Sequence, residues 1–212
     1  MIYQDKVFKK SNLEFDDSIS TYDGWGAQQN PNSFEVFHNF IQEVKPKQIL
    51  EIGTSIGGFT SFLNYTCKLS KIPCDIITYD IHYKSWYEDM KNEGIDVRIE
   101  NIFLENYNNI TDPVIDFVQK LGITIVLCDG GDKIREFNIL SKFLKEGDFI
   151  LAHDYAENKE IFDSKIYKKI WNWHEIQYSD IENAIISNTL KIYNKDIFEN
   201  VAWTCWQKKT YE

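Results

Sequence analysis

A mostly parallel β-sheet covered by helices on both faces is the fold class this sequence predicts, and three observations predict it. Short apolar runs rich in strand formers recur at 47–52, 74–80, 95–100, 123–129 and 147–154. Segments with helical periodicity lie between several of them, which is the pattern of βαβ units. Four of the runs end in an acid: Glu51, Asp80, Asp129 and Asp154. One Asp after a strand reads as a helix cap. Four acids in series do not, because ligands of such sheets bind beyond the carboxyl ends of the strands.

The elements follow in order. Residues 1–32 are polar and mixed and end in a turn-rich "YDGWGAQQNPNS", a cap segment before the single domain expected over 33–212. The first helix is expected to be capped by Asn32 with Glu35 three residues on; its apolar face is Phe34, Phe37, Phe40, Ile41 and Val44, and Pro46 helps to stop it. "KQILEI" is the first strand, followed by a glycine loop and a helix to about Lys68. "CDIITYD", "IDVRIE" and "ITIVLCD" are the next three strands. "DKIREFNILSKFLK" (132–145) is an amphipathic helix with Ile134, Phe137, Leu140, Phe143 and Leu144 inward. "GDFILAHD" is a fifth strand, 155–178 an aromatic and charged insertion, 179–190 a capped helix, and "LKIYN" and "VAWTCWQKK" two final strands.

Composition narrows the function. The net charge is −10, which argues against a protein whose affinity comes from Lys and Arg neutralising phosphates. No stretch approaches the apolar length of a membrane span, and the N-terminus has no apolar leader core. Four scattered cysteines show no C-x-x-C pair and read as buried free thiols of a reducing compartment, so a soluble cytoplasmic protein is expected, with no membrane or nucleic-acid partner. A homo-oligomer stays open.

The loop Gly53-Thr54-Ser55-Ile56-Gly57-Gly58 lacks the second glycine that lets a backbone approach a pyrophosphate, and no Lys-Ser/Thr follows. Dinucleotides and P-loop nucleotides are disfavoured. A nucleoside without phosphates fits better.

The run from Glu51 through Gly58, with Asp80 closing the second strand, resembles motif I and the strand-two acid of the class I S-adenosylmethionine (SAM)-dependent methyltransferases. That resemblance implies a Rossmann-like three-layer αβα fold with a seven-stranded, mostly parallel sheet and an antiparallel last strand. It implies SAM as cofactor: Glu51 near the amino-acid end, Gly53, Thr54, Ser55 and Gly57 in the loop, Asp80 on the ribose hydroxyls, Glu100, Asn101 and Ile102 by the adenine, and Asp129 near the methyl donor. His82 borders the adenosine in this reading, and His38 is structural.

"LCDGGDKIREFNILSKFLKEGDFILAHDY" is similar to the macrocin-type and cephalosporin-hydroxylase-like O-methyltransferases, which implies transfer to a hydroxyl of a small-molecule acceptor such as a sugar. Several members bind Mg²⁺, which would place Asp129, Asp154 and His153 as metal ligands. Two departures stand against this: Asp132 where a His is common, and His153 in a slot often acidic. The competing reading makes His153 or Lys133 a proton acceptor or substrate anchor beside Asp129. Tyr155, Trp171, Trp173 and His174 are the candidate substrate residues, because aromatic faces suit flat or sugar rings. A protein or nucleic-acid methyltransferase is disfavoured by charge and by the absence of an Asn/Asp-Pro-Pro-aromatic motif. A cofactor-binding protein without catalysis is the alternative from another class.

Overall fold

The computed structural model describes residues 4–9, 20–104 and 109–210, so part of the N-terminal cap segment lies outside the described residues. A small antiparallel sheet, β1 (Val7–Lys9), β2 (Ser20–Tyr22) and β3 (Trp25–Gly26), opens the fold. Then follow α1 (Ser33–Val44), β4 (Gln48–Ile52), α2 (Gly58–Leu69), β5 (Asp75–Asp80), α3 (Tyr87–Asn92), β6 (Asp96–Ile99) and α4 (Asp112–Val118). The second half comprises β7 (Thr124–Cys128), α5 (Lys133–Leu140), β8 (Phe149–His153), β9 (Tyr155–Ala156), α6 (Lys159–Ile161) and β10 (Ile176–Gln177). It closes with α7 (Tyr178–Ser187), β11 (Leu190–Ile192), α8 (Lys195–Glu199) and β12 (Trp203–Lys208).

Seven strands form one sheet in the order β11-β12-β8-β7-β4-β5-β6. The pairs among β6, β5, β4, β7 and β8 are parallel, and β12 runs antiparallel to both neighbours. The central strands β4, β7 and β8 are buried along their whole length, which explains why they read as unbroken apolar runs. Alternate residues feed two cores. Ile49, Ile125, Leu127 and Leu151 face Phe37 and Ile41 of α1 and Phe59 and Phe62 of α2. Leu50, Val126, Ile150 and Ala152 face Val114 of α4, Phe137 and Leu140 of α5 and Ile181 of α7. Sheet and two helical layers make the three-layer αβα sandwich.

Local details depart from the sequence reading. Asn32 is itself helical and makes no side-chain cap; Asn30 accepts the Asn32 N–H through Oδ1 at 2.9 Å and so turns the chain two residues earlier. Helix α5 begins at Lys133 and is shorter than expected, giving way at Ser141 to a 3₁₀ turn. Its buried face is Lys133, Glu136, Phe137 and Leu140, which rotates Ile134 outward to 37% exposure. Helices α3, α4 and α8 have only six, seven and five residues, too short to show a helical period in the sequence. The segment 155–178 holds the short parallel pair β9–β10, α6 and a π turn at Phe162–Ile166.

Tyr22 packs on Phe34 and Phe62, which ties the N-terminal segment to the main core. At Gly58 a Cβ would come within 2.5 Å of the Trp25 carbonyl oxygen, so β3 crosses the start of α2 at backbone contact. From there residues 27–30 run over the carboxyl rim of the sheet.

Candidate active site

The chain leaves β4 for β5 on one side and returns to β7 on the other, so the crevice beyond the ends of β4 and β7 is the topological switch point. The two strand ends meet closely there: Gly53 has φ +99°, and a Cβ on it would lie 2.2 Å from the Asp129 carbonyl oxygen. Only glycine fits that conformation and that space. Gly57 is also left-handed and heads α2; a Cβ there would strike the Met90 sulfur at 2.6 Å. It shapes the loop from behind and lines neither cavity described below.

On the β5 side, a cavity of about 490 Å³ is walled by Gly53, Ser55, Asp80, His82, Asn101, Ile102 and Glu136 among others. That volume lies in the range of small-molecule sites. Asp80 caps the loop: Oδ2 accepts the Ser55 N–H at 2.8 Å and the Tyr87 hydroxyl at 3.0 Å, and Oδ1 accepts the His82 N–H at 2.9 Å. Tyr87 bonds the Ser55 carbonyl oxygen as well, at 2.7 Å. The Arg135 guanidinium lies over the Phe103 ring at 3.7 Å, giving the cavity a flat wall beside Glu100, Asn101 and Ile102.

Two acids behind the loop are almost fully buried. Glu51 is desolvated, which pushes its carboxyl up to about 7 although Thr60 and Thr78 donate to it, Thr78 at 2.6 Å. Glu136 is likewise raised to about 7, first by burial, against hydrogen bonds from the Gly130 and Asp132 N–H groups at 3.2 and 3.3 Å. Glu136 explains the first glycine of the Asp-Gly-Gly run, because a Cβ at Gly130 would lie 2.2 Å from its Oε1. The sequence reading missed Glu136; the signal was an acid four residues after Asp132, inside the same helical turn.

On the β8 side a second cavity, about 220 Å³, is shared by Glu51, Gly53, Thr54, Asp129, Lys133, His153, Asp154, Trp171, Trp173 and Glu175 with others. Its wall is a network of buried charges. Asp129 accepts from His153 Nδ1 at 2.9 Å on Oδ1 and from Gln29 Nε2 at 2.7 Å on Oδ2. Gln29 is in turn fixed by the Trp203 indole N–H, at 2.8 Å. The His153 ring stacks on Trp203 with centroids 4.8 Å apart, and Trp171 leans on it at 4.7 Å. His153 Nε2 is buried and meets no protein partner among the described residues.

Lys133 reaches across the rim from the first position of α5. Its ammonium donates to the Gly130 carbonyl oxygen at 2.9 Å and pairs with Asp154 Oδ2 at 2.8 Å and Glu175 Oε2 at 2.7 Å. Asp154, left-handed at φ 56°, gives its other oxygen to the Trp171 indole N–H. Burial opposes charge on Lys133, but Asp129, Asp154 and the hydrogen bonds outweigh it and hold the ammonium far above its ordinary value. Lys133 therefore keeps its proton and serves as an anchor rather than a proton acceptor. His153 is raised by the same balance, desolvation against Asp129 and Asp154. The Asp154 carboxyl is lowered, its burial offset by His153 and Lys133.

Asp129, His153 and Asp154 offer ligand atoms within 4.8 Å of one another. They do not fit a divalent ion in this arrangement. Each of the four carboxylate oxygens already accepts from a protein donor, and a lysine ammonium sits at the place between the two strands. The residues that border the other cavity do suit SAM: a carboxylate at the end of β5, a flat wall by Phe103, and an acidic rim for a sulfonium.

Of the other sequence candidates, Thr54 spends its hydroxyl on Thr78 at 2.7 Å, and Trp171 and Trp173 both wall the β8-side cavity. Tyr155 does not: at 2% exposure it lies in the core with Ile176 and Ile181, because β9 pairs with β10 and turns it inward. His174 stacks on Phe162 at 4.8 Å, outside both cavities. His38 is buried in α1, as a structural histidine would be. The reading missed Gln28, Gln29 and Trp203, which meet the site only through the fold.

Residues 32–179 match the FtsJ-like methyltransferases, about two thirds of the chain. The chain belongs to that family. It is a SAM-dependent methyltransferase with the class I fold. Solved structures agree on the fold. A CmcI structure with Mg-SAM superposes at a TM-score of 0.64 with 17% identity, covering 95% of this chain and 82% of that one. A CmcI structure with SAH gives 0.62 and 16%, over 96% and 89%. An O-methyltransferase family protein from Burkholderia thailandensis gives 0.53 and 8%, over 84% and 57%. No curated protein matches the methyltransferase. Among the described residues, no helix is long and apolar enough to cross a membrane.

Proposed function

We propose that this methyltransferase moves the methyl of SAM to a hydroxyl oxygen of a small molecule, with His153 as the proton acceptor. The observation that carries the reading is the Asp129–His153 pair, 2.9 Å apart, walling the same cavity as the glycine loop. When bound, SAM supplies a methyl on a sulfonium, an electrophile that a hydroxyl oxygen attacks once its proton has a destination.

Asp80 and the Ser55 loop hold the ribose, and Glu100, Asn101 and Phe103 flank the base. Glu51 and Asp129 face the positive end of the cofactor. Asp129 fixes the tautomer of His153: with Nδ1–H donated to the carboxylate, Nε2 presents a lone pair to the acceptor hydroxyl. The carboxylate also stabilises the imidazolium that forms, which fits the upward shift of His153. Trp171 and Trp173 offer flat faces to a ring, and the cavity of about 220 Å³ suits a small acceptor better than a macromolecule. Holding oxygen, methyl and sulfur in line supplies much of the rate.

The test uses SAM labelled in the methyl group with a panel of hydroxylated rings, sugars and phenols included. The expected product is a methyl ether, lost in His153→Ala while SAM affinity by calorimetry stays unchanged. Label appearing in RNA or protein would overturn the small-molecule reading. SAM binding with no transfer to any acceptor would support the non-catalytic alternative.

A further inference from the structure

We propose that Lys133 is a tethered cation that occupies the place of a divalent metal between Asp129 and Asp154, so that the rim works without an ion. The inference deepens the reading of this rim as the acceptor side of the methyltransferase.

An ammonium has three N–H donors. Lys133 meets three acceptors at 2.7–2.9 Å, the Gly130 carbonyl oxygen, Asp154 and Glu175, and is itself 7% exposed. Asp129 Oδ1 lies 3.9 Å from the same nitrogen. The ammonium is therefore satisfied in full and central to three carboxylates. The oxygens it leaves over are taken: Asp154 Oδ1 by Trp171, Asp129 Oδ1 by His153 and Asp129 Oδ2 by Gln29. Mg²⁺ demands near-octahedral oxygen coordination at about 2.0–2.1 Å. To obtain it here the ion must displace three placed donors and then sit beside an ammonium, with like-charge repulsion in a poorly solvated site.

The placement also accounts for features of the sequence. Lys133 opens α5 directly after Asp132, whose carboxylate accepts the Arg135 N–H and fixes the first turn. That cap aims the lysine stem along the rim, toward β8. Glu175, brought in by the 155–178 segment, supplies the third negative charge.

The closing experiment reads the ion directly, by Mn²⁺ broadening of the His153 ring and Lys133 ammonium signals in NMR spectra of the full chain. With or without SAM, substoichiometric Mn²⁺ is expected to leave both signals sharp in the wild type. Lys133→Met removes the charge and keeps the stem. It is expected to let Mn²⁺ broaden the His153 ring, with a gain in site affinity of about tenfold or more, as expected from removing an adjacent positive charge. Broadening of either signal in the wild type overturns the proposal. So does a folded Lys133→Met protein that gains no such site. If that variant does not fold, the wild-type arm alone decides. SAM affinity measured on the same samples separates this outcome from a failure of the proposed function, which would show as absent cofactor binding.

Discussion

The two sides of the rim are built on opposite principles. The β5 side is local: Ser55, Asp80, His82 and Tyr87 lie within 33 residues of chain, and Asp80 is held by backbone N–H groups and one phenol. The β8 side is assembled from positions 29, 129, 133, 153, 154, 171, 175 and 203, and its charges answer one another in near-complete burial at Lys133, His153 and Asp154, with Asp129 partly buried and Glu175 half-exposed at the edge. A carboxylate held by backbone at a solvated edge can exchange its partners for a ligand. A buried charge network cannot lose a member without leaving another unpaired. The first side is suited to binding and release, the second to holding a fixed geometry.

Mutations on the β8 side carry the largest expected effects. Asp154→Asn leaves the Lys133 ammonium short of a buried counter-charge and is expected to cost about 3–5 kcal/mol of stability, read as a fall in the denaturant midpoint. A cost under about 1 kcal/mol, the scale of surface pairs, would show that the network is solvated after all. Trp171→Phe keeps an aromatic ring but removes the indole N–H that donates to Asp154; the expected loss is about 1–3 kcal/mol, in the same unfolding experiment. On the β5 side, Asp80→Ala is expected to weaken SAM binding by about 1–3 kcal/mol through lost charge-assisted hydrogen bonds, while the unfolding midpoint moves far less than in Asp154→Asn. Equal destabilisation by the two would mean that both sides of the rim are equally tightly bound into the fold.

The last effect is a pH dependence. Glu51 and Glu136 have folded-state values of about 7 against an ordinary 4.5. Between those values the folded chain binds more protons than the unfolded one, so their contribution falls as pH rises through that window and is flat outside it. Glu136→Gln is expected to flatten that decline in melting temperature between pH 4.5 and 7. A slope unchanged from wild type would mean that Glu136 ionises normally.

Legibility in the sequence followed the same divide. The β4 loop and Asp80 were readable because strand, glycine turn and terminal acid form a contiguous pattern whose spacing carries the geometry. Asp129, Lys133, His153 and Asp154 were recognisable as candidates because each sits at a strand end or just beyond. Their pairing was not, since a lysine four residues after one carboxylate and 21 before another can as well be a surface charge. Tyr155 and His174 misled for the converse reason: aromatic residues clustered in a short segment look alike whether they wall a cavity or pack on one another. Ile134 turned outward because the buried face of α5 takes in Lys133 and Glu136 beside Phe137 and Leu140, which leaves Ile134 at the edge of that stripe.

By itself the sequence determined the α/β class, the mostly parallel sheet and the strand-end acids, because hydrophobic period and turn residues act over a few positions and need no partner. What those acids hold was fixed by contacts between distant parts of the chain. Gln29 reaches Asp129 across 100 residues, and Trp203 reaches Gln29 across 174. The charge state of Lys133 and the place of any cation depend on burial and distance, which exist only once the sheet has brought β7, β8 and β12 together.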